Sequence, residues 1–392
     1  METQSFIKVL KDVSVHPFDK SRWVASTPGG RNFLINEKTS LLLATLSNSS
    51  NAEEACKKFN ERSKNHLSYP LFEEIATGLA RKFDTNGNTE KAGYLSLKIE
   101  LLSAKLIGRI AQPITRAFRL VPFLFIAVFS LTIVSYSLAT DPLAQEAPVT
   151  NQGLALPVIL VWFSLFVHEL GHIAACRSFG IRHGGVGVGF YFIIPVVYAD
   201  ITQIWTGSKL CRIITNLAGV FMEVAYAAVL CLMSLYSSNP VYVSAALVIC
   251  LKALLELNPF VRFDGYWLLC DITNTPNLMN RATLQLKSVF QWPPKLQPSM
   301  TSLLIFCYGV VNYVFAGAYM GYILSTHFVS VIEFPQRLFL VVRKALLWEL
   351  QFTDLKQEMV LLMLFYILIY NTLKRIIRSL IKKQLSPRGL LE

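Results

Sequence analysis

The chain has 392 residues, 53% of them hydrophobic and 16% charged, with 37 Lys and Arg against 25 Asp and Glu for a net charge of +12. This composition excludes a disordered or fibrous chain. The mean hydropathy of +0.44 comes from apolar runs too long and too uncharged to be ordinary core helices. Lys374, Arg375, Arg378, Lys382, Lys383 and Arg388 follow the last such run, the pattern of a flank at an anionic bilayer. The sequence predicts a mainly α, polytopic membrane helix bundle whose charge serves the lipid bilayer and not nucleic acid.

Residues 1–90 are polar, mixed in charge and without a membrane-length apolar stretch, so they are expected to form a small soluble domain. The run Arg22-Trp23-Val24-Ala25-Ser26, the turn residues Pro28-Gly29-Gly30 and the run Asn32-Phe33-Leu34-Ile35 predict a hairpin. Three short helices follow. Asn36 caps the first, with Leu41, Leu42, Leu43 and Leu46; Asn51 and Glu54 make a capping-box-like start for the second; Ser68 and Pro70 open the third, which holds Phe72, Ile75 and Leu79.

Residues 91–120 form a linker in which Leu101, Leu102, Leu106 and Ile110 recur at helical spacing beside Lys105, Arg109, Arg116 and Arg119. An amphipathic helix is expected there, on the inner membrane surface or against the soluble domain. The remainder, 121–392, carries six expected spans at about 121–139, 155–176, 212–236, 241–259, 302–325 and 357–373, ending in the basic tail. Arg109, Arg116 and Arg119 precede the first span, and the loop from Asp141 to Gln152 has no Lys or Arg. That loop is therefore expected outside, and both termini in the cytoplasm. Nothing at the N-terminus reads as a cleaved signal. Glu333, Pro335, Arg337, Arg343 and Lys344 interrupt 328–348, which reads as an interfacial helix. The seven cysteines show no C-x-x-C spacing and are expected to be free core residues.

The residues that carry chemistry are His168-Glu169-Leu170-Gly171-His172, near the inner end of the second span. Positions i and i+4 of a helix lie one above the other, so both imidazoles can bind one metal ion, while Glu169, rotated by roughly 100°, can reach a water. Three ionisable groups in little more than one turn are costly in hydrocarbon unless a metal ion and a water-accessible cavity compensate them. Two histidines do not fill a tetrahedral site. The best third ligand is Asp264, in Asn258-Pro259-Phe260-Val261-Arg262-Phe263-Asp264-Gly265 just after the fourth span, where proline breaks the helix and glycine permits an unusual turn.

This pair of motifs resembles the site-2 protease family of intramembrane zinc metalloproteases, over roughly residues 155–271. The resemblance implies Zn2+ as cofactor, His168, His172 and Asp264 as its ligands, and Glu169 as general base. Pro195-Val196-Val197-Tyr198-Ala199-Asp200 resembles the family's membrane-embedded β segment that pairs with extended substrate, and Gly185-Val186-Gly187-Val188-Gly189-Phe190 has a strand's alternation. This makes Pro195, Tyr198 and Asp200 candidate substrate-binding residues. Where the family often has Ala-Gly-Pro followed by Asn, this chain has Ala218-Gly219-Val220 and Glu223. Asn216 and Glu223 are thus the candidates for the substrate-positioning role, with pairing elsewhere in the bundle the alternative for Glu223. Lys252 and Glu256, at i and i+4, are expected to neutralise each other.

Residues 1–85 resemble the winged-helix peptide-recognition domain of enzymes that mature ribosomally made peptides, in which a leader peptide extends the hairpin sheet. The α+β N-terminal domain would then be a cytoplasmic receptor. The expected function is leader removal from a peptide precursor by an endopeptidase of the bacterial inner membrane, working with an exporter. Regulated intramembrane proteolysis of a signalling membrane protein, or a non-catalytic role in peptide maturation and export, are the alternatives.

Overall fold

The computed structural model describes residues 9–63, 66–83, 96–140, 155–191, 194–289, 299–347 and 358–385. The loop 141–152, the start of the linker at 91–95 and Arg388 of the tail lie outside the described residues. The chain divides into two compact units, one through Pro276 and one from Asn277.

The first unit opens with an antiparallel sheet in the order β1 (Ser14–Pro17), β2 (Arg22–Ser26), β3 (Asn32–Asn36). The expected hairpin is β2–β3, with Trp23 opposite Ile35 and Ala25 opposite Phe33. Its Gly30 has φ +79°, a conformation that glycine adopts without steric cost. Strand β1 is an addition that four residues ending in proline did not announce. The three helices are α1 (Glu37–Ser47), α2 (Ala52–Ser63) and α3 (Tyr69–Phe83). Their starts follow the capping residues. Asn36 Oδ1 accepts from Thr39 N at 2.9 Å, and Asn51 Oδ1 accepts from Glu54 N at 2.8 Å while Glu54 Oε2 accepts from Ser50 N at 2.9 Å. Leu10, Ala25, Leu43, Leu46, Phe59 and Phe72 are among the residues of one core shared by sheet and helices.

The linker differs from its expected form. Leu101 and Leu102 lie in a strand, β4 (Ser96–Leu102), and only α4 (Ala104–Ala111) is α-helical, followed by a 3-10 turn over Gln112–Phe118. Strand β4 pairs with β5 (Val186–Tyr191), which pairs with β6 (Ile194–Ala199), all antiparallel. Any side chain at Gly187 would overlap the carbonyl of Ile99, and at Gly185 that of Leu102. The glycine alternation is thus what lets β4 approach.

Helices α5 (Leu120–Thr140), α6 (Ala155–Ser178) and α7 (Lys209–Ser237) have the length and apolarity to cross a membrane. Over half of the apolar window is buried in α6 and in α7, against 17% in α5, so α6 and α7 form the inside of this bundle. Helix α8 (Pro240–Glu256), capped by Asn239 with proline at its first turn, has 17 residues and packs on α7 through Val243, Ala246 and Ile249. A turn then leads to α9 (Asp264–Ile272).

In the second unit, α10 (Leu278–Val289) packs on α11 (Met300–Thr326), the fourth helix long and apolar enough to span. Helix α12 (Phe328–Leu346) contains Pro335 and does not reach that standard, as its interrupted sequence suggests. It packs on α13 (Glu358–Leu385), where Phe334 stacks on Tyr366 at 5.2 Å. The apolar stretch of α13, Leu361–Lys374, is shorter than a full span. Four described helices therefore meet the length and composition of a span, where the sequence suggested six segments.

Candidate metal centre

His168 and His172 lie one turn apart on α6, both buried. Their rings meet edge to face at 4.8 Å, with the two Nε2 atoms 3.1 Å apart. Asp264 arrives from the other side of a fold in the chain. After α8 ends, Asn258 Oδ1 accepts from Phe260 N at 2.8 Å and Phe263 N donates to Val261 O at 2.7 Å. A side chain at Gly265 would overlap the carbonyl of Leu257, so the turn closes tightly on the end of α8. The closure sets Asp264 Oδ2 at 3.1 Å from both His168 Nε2 and His172 Nε2.

Three donor atoms thus form a triangle of near-equal sides. Tetrahedral ligands about 2.0–2.1 Å from zinc stand roughly 3.3 Å apart, so the triad fits this ion with a few tenths of an ångström of spreading. Asp264 Oδ2 is buried with no hydrogen-bond donor, a state that a cation would relieve. As a carboxylate beside two imidazoles, Asp264 is the oxygen donor of the set.

The outer nitrogens of the two rings have different neighbours. His172 Nδ1 lies 2.7 Å from the carbonyl of Thr215, which can only accept, so the proton sits on Nδ1 and Nε2 is left free for a metal. His168 Nδ1 lies 3.0 Å from Glu256 Oε2 and 3.6 Å from Glu223 Oε2, within ion-pair distance but outside hydrogen-bond geometry. Helix α7 comes close because residue 219 is glycine; any side chain there would overlap the His168 ring. Glu169 follows His168 on α6 and is 8% exposed.

Of the other sequence candidates, Glu223 reaches His168 and the rest have partners elsewhere. Asn216 Nδ2 donates to Asp271 Oδ2 at 2.7 Å, within a network in which Arg212 Nε donates to Asp271 Oδ1 at 2.6 Å. Glu223 is fully buried and ion-paired with Lys252, whose Nζ also meets Glu256 Oε1 at 2.7 Å. The expected neutralisation of Lys252 by Glu256 is present, but it is shared with Glu223 and opens onto His168. Tyr198 and Asp200 lie in or after β6, Tyr198 beneath the Lys98 ammonium at 5.3 Å from its ring centre, and Asp200 accepting from Thr202 Oγ1 at 2.6 Å. Pro195 pairs with Phe190 in the β5–β6 register. His183 bonds locally, with Nδ1 2.8 Å from Gly184 O, as a loop histidine does. All seven cysteines are free.

Sequence reasoning passed over the way the N-terminal sheet meets the rest of the first unit. Phe18 stacks on Trp205 at 5.8 Å and lies under the Arg212 guanidinium at 4.1 Å. Asn274 donates to Asp19 Oδ2 at 2.8 Å, and Asn32 donates to the Thr202 carbonyl at 2.8 Å. The strength of an isolated Arg and an isolated Phe in the sequence gave no sign of this pairing.

A protein of Bacillus subtilis (strain 168) named "Putative peptide zinc metalloprotease protein YydH" is 27% identical over 116 residues, which is 29% of this chain and 46% of that protein. The chain thus matches about half the length of that curated relative. No solved structure matches the chain. Peptidase family M50 matches residues 157–384, a stretch that contains His168, Glu169, His172 and Asp264. Matched over more than half of its length and with the whole triad inside the match, the chain belongs to peptidase family M50, as its paired motifs imply.

Proposed function

We propose that the chain is an intramembrane zinc endopeptidase that removes the leader from a ribosomally made peptide precursor. The observation that carries this reading is the convergence of His168 Nε2, His172 Nε2 and Asp264 Oδ2 to 3.1 Å of one another from two separate motifs. When bound, zinc supplies a Lewis acid that polarises the peptide carbonyl and acidifies water. The chain's own groups do the rest. His168, His172 and Asp264 hold the ion; Glu169 takes the proton of the attacking water on its carboxylate and returns it to the leaving amine. The outer strand β6, from Pro195 through Tyr198 and on to Asp200, offers backbone groups that can hold a substrate extended. Asn216 and Glu223 serve substrate positioning indirectly, through Asp271 and Lys252.

The peptide substrate is favoured by two features. The Bacillus subtilis relative is named for a peptide metalloprotease, and the N-terminal sheet has β1 and β3 as outer strands beside three helices, an arrangement suited to adding a leader strand. In this reading residues 1–90 are a winged-helix-like receptor, residues 91–120 link it to the protease, and residues 121–392 cross the inner membrane six times. Helix α8 and the apolar part of α13 supply the fifth and sixth spans, and both termini lie in the cytoplasm next to a peptide exporter.

The test is reconstitution of the full chain in lipid vesicles with a short peptide encoded beside it, followed by mass spectrometry of the products. Zinc-dependent cleavage that disappears on chelation and in Glu169→Gln supports the proposal. Undiminished cleavage in Glu169→Gln, or a chain that takes up no zinc, sinks it.

A further inference from the structure

The two histidines of the triad are supported differently. His172 gives its Nδ1 proton to a neutral backbone carbonyl, whereas His168 faces a carboxylate, Glu256, at 3.0 Å. That carboxylate is itself held. Its other oxygen meets Lys252 Nζ at 2.7 Å, and the same ammonium pairs with Glu223 on the neighbouring helix. Three helices are thus tied together at one ring: α6 through His168, α7 through Glu223, and α8 through Lys252 and Glu256. Gly219, one turn before Glu223, is the residue that lets α7 close on that ring. A Glu–Lys–Glu cluster is costly within an apolar bundle, and an i, i+4 pair alone would not require the fully buried Glu223.

We propose that Glu256, held by Lys252 and Glu223, is a positioning residue that fixes the ring orientation and tautomer of His168 for zinc. The inference rests on the zinc-binding reading of the triad. A carboxylate behind a ligand histidine both orients the ring and makes its metal-facing nitrogen more basic. His168, Glu223 and Glu256 also form a group that could itself surround a cation. The Lys252 ammonium already lies against both carboxylates, so this cluster carries its own cation and the chain binds one zinc and not two.

The experiment uses the full-length chain in detergent micelles, stripped of metal and titrated with zinc against a chromophoric chelator, and in parallel loaded with cobalt(II) for its visible spectrum. Wild type is expected to bind one zinc, and His172→Ala to lose it; if wild type binds none, the zinc-binding reading itself falls. Glu256→Ala is expected to weaken zinc binding by about 10–100-fold and to alter the cobalt spectrum. Glu256→Gln keeps an oxygen that accepts the Nδ1 proton, and is expected to recover most of the affinity and the wild-type spectrum. If Glu256→Ala does not fold, Glu256→Asp, which withdraws the carboxylate by one methylene, is expected to fall between wild type and that loss. A second zinc per chain, wild-type affinity in both Glu256→Ala and Glu256→Asp, or a loss that Glu256→Gln fails to recover overturns the proposal while leaving the triad intact.

Discussion

Arg212 and Asp271 form a buried ion pair, Nε to Oδ1 at 2.6 Å, that links the first turn of α7 to α9. The Arg212 side chain is 1% exposed, and its guanidinium also bonds the Gly207 carbonyl at 3.0 Å and covers the Phe18 ring. Helix α9 begins with Asp264, so this pair secures the element that brings Asp264 to His168 and His172. Removing one member of such a pair leaves an uncompensated charge. Arg212→Met is expected to destabilise the first unit by about 3–5 kcal/mol. Thermal unfolding monitored by tryptophan fluorescence checks it, and an unchanged midpoint counts against a structural role for the pair.

Glu169→Gln should separate metal binding from chemistry. The substitution leaves His168, His172 and Asp264 untouched but removes the proton acceptor, so zinc content is expected to stay at the wild-type level while the cleavage rate drops by about 10²–10⁴-fold. Metal analysis and a single-turnover assay on the same preparation give both numbers.

Gly219→Ala tests the close approach of α7 to the metal centre. The added methyl overlaps the His168 ring, which must move or push the helix away, at an expected cost of about 1–3 kcal/mol for overpacking. Weakened zinc binding with helical content retained is the expected result in the chelator titration. Gly317, whose surroundings are open, provides the matched control; Gly317→Ala is expected to change nothing.

Phe18→Ala tests the seat of the N-terminal sheet. The ring is 6% exposed and lies between Trp205 and Arg212, so its loss is expected to cost about 3–5 kcal/mol. Faster proteolytic release of residues 1–83 from the full chain, with the core Phe72 region still protected, is the signature of a loosened seat.

Glu54 gives the α2 start an acid-sensitive feature. The Lys58 ammonium, followed by the Ser50 hydroxyl and backbone N–H, holds its carboxyl down at about 2, against an ordinary value of 4.5. Because the folded value is depressed, the stabilisation is complete above 4.5 and is lost as pH falls through about 2. Wild type and Glu54→Gln should therefore differ in thermal midpoint at neutral pH and converge near pH 2; a difference that persists at pH 2 removes Glu54 as its source.

The sequence was most informative where the code is local. His168 and His172 share a helical face by spacing alone, Asn36 and Asn51 announce helix starts, and Asn258, Pro259 and Gly265 announce a turn that brings Asp264 round. These readings persist in the structure, in a chain whose family membership and apolar helices make it an integral membrane protein. Long-range pairing was less accessible. Leu101, Leu102, Leu106 and Ile110 fit a helical period, yet the first two belong to a strand whose partner lies beyond α5 and α6. Lys252 and Glu256 looked complete as an i, i+4 pair, so although pairing within the bundle was one reading of Glu223, nothing named Lys252 as its partner or placed Glu256 beside His168. Asn216 and Arg212 likewise gave no sign that both would answer to Asp271.

The pairing of β4 with β5 bears on how this chain can be divided. Residues 96–102 precede the first long apolar helix, yet they complete a sheet whose other members follow the second. Trimming the chain back to residue 104 would strip Gly185 and Gly187 of the backbone they were shaped to admit, leaving a raw edge open to any extended polypeptide. A minimal folded fragment must therefore begin upstream of Ser96, and one that starts at the membrane boundary is expected to self-associate.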